Sequence, residues 1–316
     1  MPSTSAPMLT VIIPTRNRID FVEQAIQSIR TQCATNWRII LVDDGSDTPV
    51  SEQLSADILA NIQILRNDTS CGVSCARNQG AEAADSEWIL FLDDDDWLDH
   101  SFIQAASNAV TTYGPSMDFM WPQRSNYYMS KREIVPATVR DVQIKKGQGT
   151  EEAFAHAIDV SCTGMLFKRA SFLQAGGFDP TLRVSEDRDL VFRLLSQGYS
   201  CRSLAEPRLI FRIHDGERLS THQSREIQAN SDMLVIARFD LFFRQHPMLA
   251  NRFIGRVGKR LWREGYAKVA IKLMKLQLEI EPSDLKSRKR LWIWMFLSLF
   301  KTKLYEARNI AEDTNI

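Results

Sequence analysis

The chain has 316 residues, 44% of them hydrophobic and 25% charged, which excludes collagen-like and broadly disordered classes and leaves room for one large α/β domain with an appendage. Its 39 lysines and arginines balance 39 aspartates and glutamates. A formal charge of zero argues against a nucleic-acid partner and, at first, against a membrane surface.

The elements follow in order. Leu9 to Pro14 is a short β-branched run that reads as a buried strand ended by Pro14. Ile19 to Gln32 has helical apolar spacing, with Asp20 as its N-cap. Trp37 to Val42 is a second buried strand, closed by the turn signal Asp43-Asp44-Gly45-Ser46. Ile62 to Arg66 is a third strand, Val73 to Ala84 a helix, and Trp88 to Leu92 a fourth strand running into Asp93 to Asp96. This alternation predicts βαβ units and a parallel sheet, whose ligands bind beyond the strands' carboxyl ends.

Further on the pattern loosens. Ser101 to Tyr113 is a predicted helix, Met117 to Met129 is strand-like and Ser130 to Gly149 irregular. Glu151 to Ile158 is a short helix, Thr163 to Phe167 a strand, Arg169 to Ala175 and Glu186 to Gln197 helices, and Leu209 to Ile213 a last strand. After Gly216 the chain reads as helical over Ile227 to Phe243, Phe253 to Ile280 and Ser283 to Phe300. We therefore divide it into a domain over residues 1–225 and a helical extension over 226–316.

The cysteines (Cys33, Cys71, Cys75, Cys162, Cys201) form no CxxC pair, so neither a zinc ribbon nor a disulfide framework is expected and a reducing, cytoplasmic location fits. The Ser/Pro-rich start has no apolar signal-peptide core. The longest apolar run, Leu291 to Phe300, is half of the about 20 residues a membrane span needs.

Asp93 to Asp96 is the strongest chemical feature. Four acids after a buried strand repel one another, and a hard divalent cation with oxygen ligands would offset that; alternatively Asp96 caps the next helix and the others are solvated. Asp44 at the second strand's end can accept from a base or ribose, or simply make an Asx turn. Gly72 to Gly80 matches neither GxGxxG nor a P-loop; Arg77 within it faces a nucleotide or lies on a helix surface. Asp187, in the acidic first turn of its helix, is an ionised carboxylate available as a base. His214 after the last strand is structural, a metal ligand or a phosphate partner. Trp121, Tyr127 and Tyr128 stack on a sugar or fill the core.

Taken in order, TVIIPTRNR (Thr10 to Arg18), LVDDGSDT (Leu41 to Thr48), GVSCARNQG (Gly72 to Gly80), FLDDDDWL (Phe91 to Leu98), GMLFKRASFLQAGGFDPTL (Gly164 to Leu182), SEDRDLVFRLLSQGY (Ser185 to Tyr199) and FRIH (Phe211 to His214) resemble a family-two glycosyltransferase of GT-A fold. The resemblance spans about residues 8–222. It implies an α/β, Rossmann-like, mostly parallel sheet flanked by helices, with the helical segment as a C-terminal extension. It implies a nucleotide pocket of Pro14, Thr15, Asn17, Asp44 and Arg77, with Asp44 at the uracil edge. Asp93 and Asp95 match the D-x-D acids, Asp93 near ribose and metal and Asp95 the direct ligand of Mn²⁺ or Mg²⁺. A frame of Asp94 and Asp96 is the alternative, disfavoured because a further acid and an aromatic usually follow the motif. Asp187 matches the catalytic base, and His214 the place where some members put a metal or diphosphate partner. The implied reaction is an inverting transfer from a nucleotide-diphosphate sugar, UDP-linked by family preference, to a glycan or lipid-linked acceptor. The competing readings are a non-catalytic nucleotide-sugar-binding or scaffold protein, and a nucleotidyltransferase, which should carry a glycine-rich loop that Pro14 to Arg18 lacks.

Zero net charge is an average. Residues 1–251 carry −8, 252–303 carry +10 and 304–316 carry −2. The run from Leu291 to Phe300 is apolar all round, and such a helix is usually buried, here on Trp262, Leu273, Leu276 and Leu278. Its basic flanks leave peripheral contact with the inner face of a membrane open.

Overall fold

The computed structural model describes residues 8–136, 142–157, 161–213 and 225–300. By internal contacts the chain forms two compact units, Met1–Gly149 with Asp159–Gly216, and Thr150–Ile158 with Glu217–Ile316.

In the first unit the elements are β1 (Leu9–Thr15), α1 (Ile19–Arg30), β2 (Trp37–Asp43), the single turns α2 (Val50–Gln53) and α3 (Ala56–Leu59), β3 (Ile62–Arg66), α4 (Val73–Ala83), β4 (Trp88–Phe91), β5 (Trp97–Leu98), α5 (Phe102–Tyr113), β6 (Phe119–Tyr128), β7 (Glu133–Pro136) and β8 (Gln143–Ile144). After α6 (Glu151–Ala157), which belongs to the second unit, come β9 (Leu166–Lys168), α7 (Arg169–Gln174), α8 (Glu186–Ser196) and β10 (Cys201–Ile213). The strands make one sheet in the order β3-β2-β1-β4-β9-β6-β10-β5, with β7 beside β6 and β8 beside β10. The half β3-β2-β1-β4 is parallel; beyond β4 the sheet is mixed, β9 running antiparallel to both β4 and β6. β1 and β2 are buried along most of their length, as continuous Val/Ile/Leu runs covered on both faces should be.

Strand order reverses between β1 and β4, so their carboxyl ends border the crevice of a doubly wound sheet. The two strands pair only as far as Ile12 and Phe91. Pro14 does not end β1, as the sequence suggested; it continues in register with Val42 of β2. Ile12 turns its carbonyl toward β4, accepting from Leu92 N–H, and Thr15 turns its carbonyl toward β2, accepting from Asp44 N–H. Pro14 thus faces the side where β4 has already diverged, and its missing N–H costs no ladder bond. α4 lies directly on β1: a Cβ on Gly80 would stand 2.3 Å from Ile12 Cγ2, so that glycine is what allows the helix to approach.

Other expectations are corrected. Asp20 is not the N-cap of α1; the helix begins at Ile19 after Arg18, and Asp20 lies in its first turn, where an acid still complements the dipole. The segment read as irregular over 130–149 contains β7 and β8, drawn into order by β6 and β10. β10 runs 13 residues, its pairing with β6 interrupted by an irregularity between Ser203 and Arg208, which hid the strand's first half from pattern reading. Cys71 and Cys75, expected to be free, form a disulfide; one lies just before α4 and the other in its first turn, with Cα atoms 5.7 Å apart.

The second unit holds α6 with α9 (Arg225–Arg238), α10 (Asp240–Gln245), α11 (Pro247–Arg263), α12 (Ala267–Ile280) and α13 (Leu285–Phe300). The predicted helix Phe253 to Ile280 is in fact two, broken at Gly265, whose φ of +95° no helix continues. Phe253, Val257 and Leu261 of α11 and Leu273 and Met274 of α12 form the core of this pair. α13 is not buried all round. Ser287 and Trp294 are buried and Leu291 and Ser298 half-buried, a stripe at i, i+4, i+7 and i+11, with Trp294 stacked on Trp262 at 4.7 Å. Two preceding helices offer one groove, and one groove covers one stripe.

Candidate active site

Acidic side chains converge where β1 and β4 part. After β4 the chain makes a tight turn, Asp96 N–H donating to Asp93 C=O at 3.1 Å, which sends neighbouring carboxylates in different directions. Asp94 turns to β1: Thr15 Oγ1 donates to it at 2.8 Å and Arg18 pairs with it at 2.9 Å. Burial is the largest influence on Asp94 and outweighs Arg18, so its pKa rises to about 6. Asp93, Asp95 and Asp96 gather instead, one oxygen of each within 4.8 Å of the others. Asp96 of the alternative frame thus joins Asp93 and Asp95, while Asp94 turns to Thr15 and Arg18.

Asp96 does not cap a helix. Its Oδ1 accepts from Arg212 N–H at 2.9 Å, while Oδ2 is enclosed without a hydrogen-bond partner. Burial first, then the charges of Asp93 and Asp95, push its pKa well up. A buried carboxylate oxygen without a partner beside two more carboxylates requires a proton or a cation. The donor set is all oxygen, which suits Mg²⁺ or Mn²⁺. The residues present therefore fit a hard divalent ion.

Three arginines organise these acids, and sequence reasoning missed two of them. Arg18 bridges Asp94 and Asp95, the latter at 3.1 Å. Arg212 of β10 donates from Nε to Asp95 C=O at 2.7 Å and lies over the rings of Phe21 and Trp97, 4.9 and 4.8 Å from their centroids. Arg77, read as a nucleotide contact or a helix-surface residue, is only 4% exposed. Its guanidinium pairs with Asp93 at 2.5 Å on one side and Glu186 at 2.8 Å on the other, over the ring of Phe178. One buried cation thus joins the end of β4 to the start of α8. Burial opposes the charge on Arg77, but Cys162, then Asp93 and Glu186, hold its pKa well above the ordinary value. Glu186 is raised by burial and by its neighbour Asp187.

Asp187 follows at the start of α8, half-buried, its Oδ1 accepting from Arg188 N–H at 2.7 Å. The preceding Ser185 is held at φ +66°, a left-handed conformation that non-glycine residues adopt at a cost, and one that clusters at functional sites.

The second cluster lies at the end of β2. Asp43 accepts from Ser46 N–H at 2.9 Å and Val50 N–H at 3.1 Å and pairs with Arg66. Asp44 receives four donors: Asn67 Nδ2 and Cys71 N–H on one oxygen, Ser70 Oγ and Gly72 N–H on the other, at 2.6 to 2.9 Å. Burial opposes its ionisation, but these donors hold its pKa below the ordinary carboxylate range. Gly45 is required here, since at φ +72° a Cβ would stand 2.7 Å from Ser70 N. Asn17 braces the same loop, its Nδ2 and Oδ1 bonding the side chain and N–H of Asp47 at 3.1 and 2.8 Å. The structure thus gathers Pro14, Thr15, Asp93 and Asp95 with Arg77 at one crevice, and Asn17 with Asp44 on the adjoining loops. His214 lies outside the described residues. Trp121 is buried core, and Tyr127 packs edge-on against Trp97 at 5.2 Å.

A parallel β3-β2-β1-β4 half-sheet, a mixed second half and an acidic crevice at the switch point define the GT-A class of α/β proteins. The chain superposes on the crystal structure of S. aureus TarS 1-349 in complex with UDP-GlcNAc with a TM-score of 0.60, over 92% of each chain, at 16% identity. The family model of Glycosyl transferase family 2 matches residues 10–174, and the chain belongs to that family. It is 29% identical over 193 residues to an uncharacterized glycosyltransferase of Haemophilus influenzae, covering 60% of this chain and 63% of that protein. It is 25% identical over 196 residues to the pre-mycofactocin glycosyltransferase of Mycobacterium tuberculosis, covering 61% and 40%. The match thus spans about two-fifths to three-fifths of these relatives' length.

Proposed function

We propose that the protein is an inverting glycosyltransferase that moves a sugar from a nucleotide-diphosphate donor, UDP-linked by preference, to a hydroxyl of a glycan or lipid-linked acceptor. The observation that carries this reading is the Arg77 fork between Asp93 and Glu186, because it ties the acids suited to a metal-bound donor diphosphate to the helix that bears Asp187. Asp187 takes the proton of the acceptor hydroxyl as its oxygen bonds to the anomeric carbon. The bond from that carbon to the diphosphate breaks on the opposite face, and the electron pair leaves with the nucleoside diphosphate. Asp93, Asp95 and Asp96 are the residues that would hold Mn²⁺ or Mg²⁺, which when bound supplies counter-charge to the departing diphosphate. Arg77 fixes Asp93 and Glu186, while Arg18 and Arg212 fix Asp95 through its carboxylate and its carbonyl. Asp44 serves the nucleotide pocket by shaping the 67–72 loop. A carboxylate offers about four lone-pair sites, so direct contact with a base would require one of its four donors to leave.

The test is release of nucleoside diphosphate from a panel of nucleotide sugars, with Mn²⁺, with Mg²⁺ and with EDTA. Asp187→Asn should lower turnover by about 10³-fold, the scale of a lost general base, with UDP affinity kept. Near-normal turnover in that variant overturns the assignment. Unchanged activity in EDTA removes the metal role of Asp95. UDP binding without turnover on any donor and acceptor would favour a binding protein.

A further inference from the structure

The exposed side of α13 carries large apolar side chains that the transferase reading does not use. Opposite the stripe that packs on Trp262, the spacing i, i+4, i+7 and i+11 places Leu285, Lys289, Trp292 and Phe296 on one face. Leu285 and Trp292 are 70% and 72% exposed, and Ile293 beside them is 47% exposed. An apolar stripe this open is uncommon on a soluble domain and marks a contact surface.

Charge selects the partner. Between Pro282 and Lys303 the only acid is Asp284, and it is occupied at the helix start, accepting from Lys286 N–H at 3.1 Å and Ser287 N–H at 3.2 Å. Around the same helix start, burial and then the nearby charges of Arg290 and Arg263 depress the Lys259 ammonium, Asp284 opposing them in part and Arg256 adding to them. A second copy meeting this face about a two-fold axis would set Lys289 and its basic neighbours against their own copies. An anionic surface relieves that repulsion. α13 has 16 residues, and no described helix is long and apolar enough to cross a membrane, so the helix would lie in the interface, with tryptophan at headgroup level.

We propose that α13 docks the protein on the surface of an anionic lipid bilayer, inserting Leu285, Trp292 and Ile293 while Lys286, Arg288 and Lys289 meet the headgroups.

The experiment is co-sedimentation of the full chain with vesicles of phosphatidylcholine alone and with about one-third phosphatidylglycerol, at low and high salt. Binding should be at least about tenfold tighter to the anionic vesicles and weaken with salt. Trp292→Ser with Ile293→Ser should lower it by about tenfold or more. Lys286→Gln, Arg288→Gln and Lys289→Gln together should remove the anionic preference, about a hundredfold at about fivefold per charge. The substituted positions are exposed, and unchanged thermal unfolding confirms that the variants fold. No binding to anionic vesicles, or equal binding by the parent and both variants, overturns the proposal. So does a self-associated parent in sedimentation velocity that the Trp292/Ile293 variant turns monomeric, since that assigns the face to a second copy.

Discussion

The crevice between β1 and β4 and the helix α13 are opposites in charge, burial and bonding. In the crevice, carboxylates and guanidinium groups are largely buried and paired, Asp96 Oδ2 and Arg77 Nε being the exceptions; Asp44 alone receives four donors. On α13 the charges are basic and solvated, and the large apolar side chains face outward. Buried charge is tolerable only when it is paired, so the first region must be assembled by the fold before any ligand arrives. Exposed apolar surface carries no such demand on the fold. The crevice therefore acts through fixed geometry, and α13 through what it leaves uncovered.

The most severe way to test that contrast is to remove the crevice's central cation. Arg77→Leu keeps some of the volume over Phe178 but leaves Asp93 and Glu186 without their shared counter-charge. Breaking a buried pair from one side costs about 3–5 kcal/mol, so urea unfolding should show a loss on that scale. A loss below about 1 kcal/mol, the range of a surface ion pair, would mean that the fork does not hold β4 to α8.

Within α13 two tryptophans separate the two regimes on a single helix. Trp294 is 6% exposed and stacked on Trp262, so Trp294→Ala should cost about 3 kcal/mol through the cavity it leaves. Trp292→Ala should change stability by no more than about 0.5 kcal/mol, as exposed substitutions do. Equal losses from the two variants, measured by thermal unfolding, would show that Trp292 is packed and would erase the contrast.

The parallel half-sheet was legible in the sequence because β1, β2 and β4 are uninterrupted apolar runs and each ends in a polar cluster. What each acid of Asp93 to Asp96 does was not legible, because their partners lie far along the chain: Arg18 is 76 residues from Asp94, and Arg212 is 116 from Asp96. The burial of Arg77 was hidden for a similar reason. The buried face of α4 is made of Ser74, Ala76, Gly80 and Ala81 with the arginine among them, a face too polar for apolar periodicity to reveal. The error at α13 ran the other way. Hydrophobicity all round a helix predicts burial only if the fold supplies enough cover, and here α11 and α12 cover one stripe.

The mildest test concerns Asp44, where the two regions differ in how they respond to acid. Asp44→Asn preserves the shape but turns an NH₂ group toward donors that an oxygen now accepts, either Asn67 and Cys71 or Ser70 and Gly72. Leaving buried donors unsatisfied costs about 2 kcal/mol near neutral pH. The folded-state pKa of Asp44 lies below its ordinary value, so its contribution to stability is fully present above the ordinary carboxylate range of about 4 and disappears as pH falls through the depressed folded value. Urea midpoints of parent and variant should therefore stand apart at neutral pH and converge below about pH 4. Trp294→Ala should show no such convergence, because an apolar contact does not titrate. A gap between parent and Asp44→Asn that persists undiminished into acid would mean that the loop is held by shape rather than by the carboxylate's charge, and the crevice would then resemble α13 more closely than its hydrogen bonds imply.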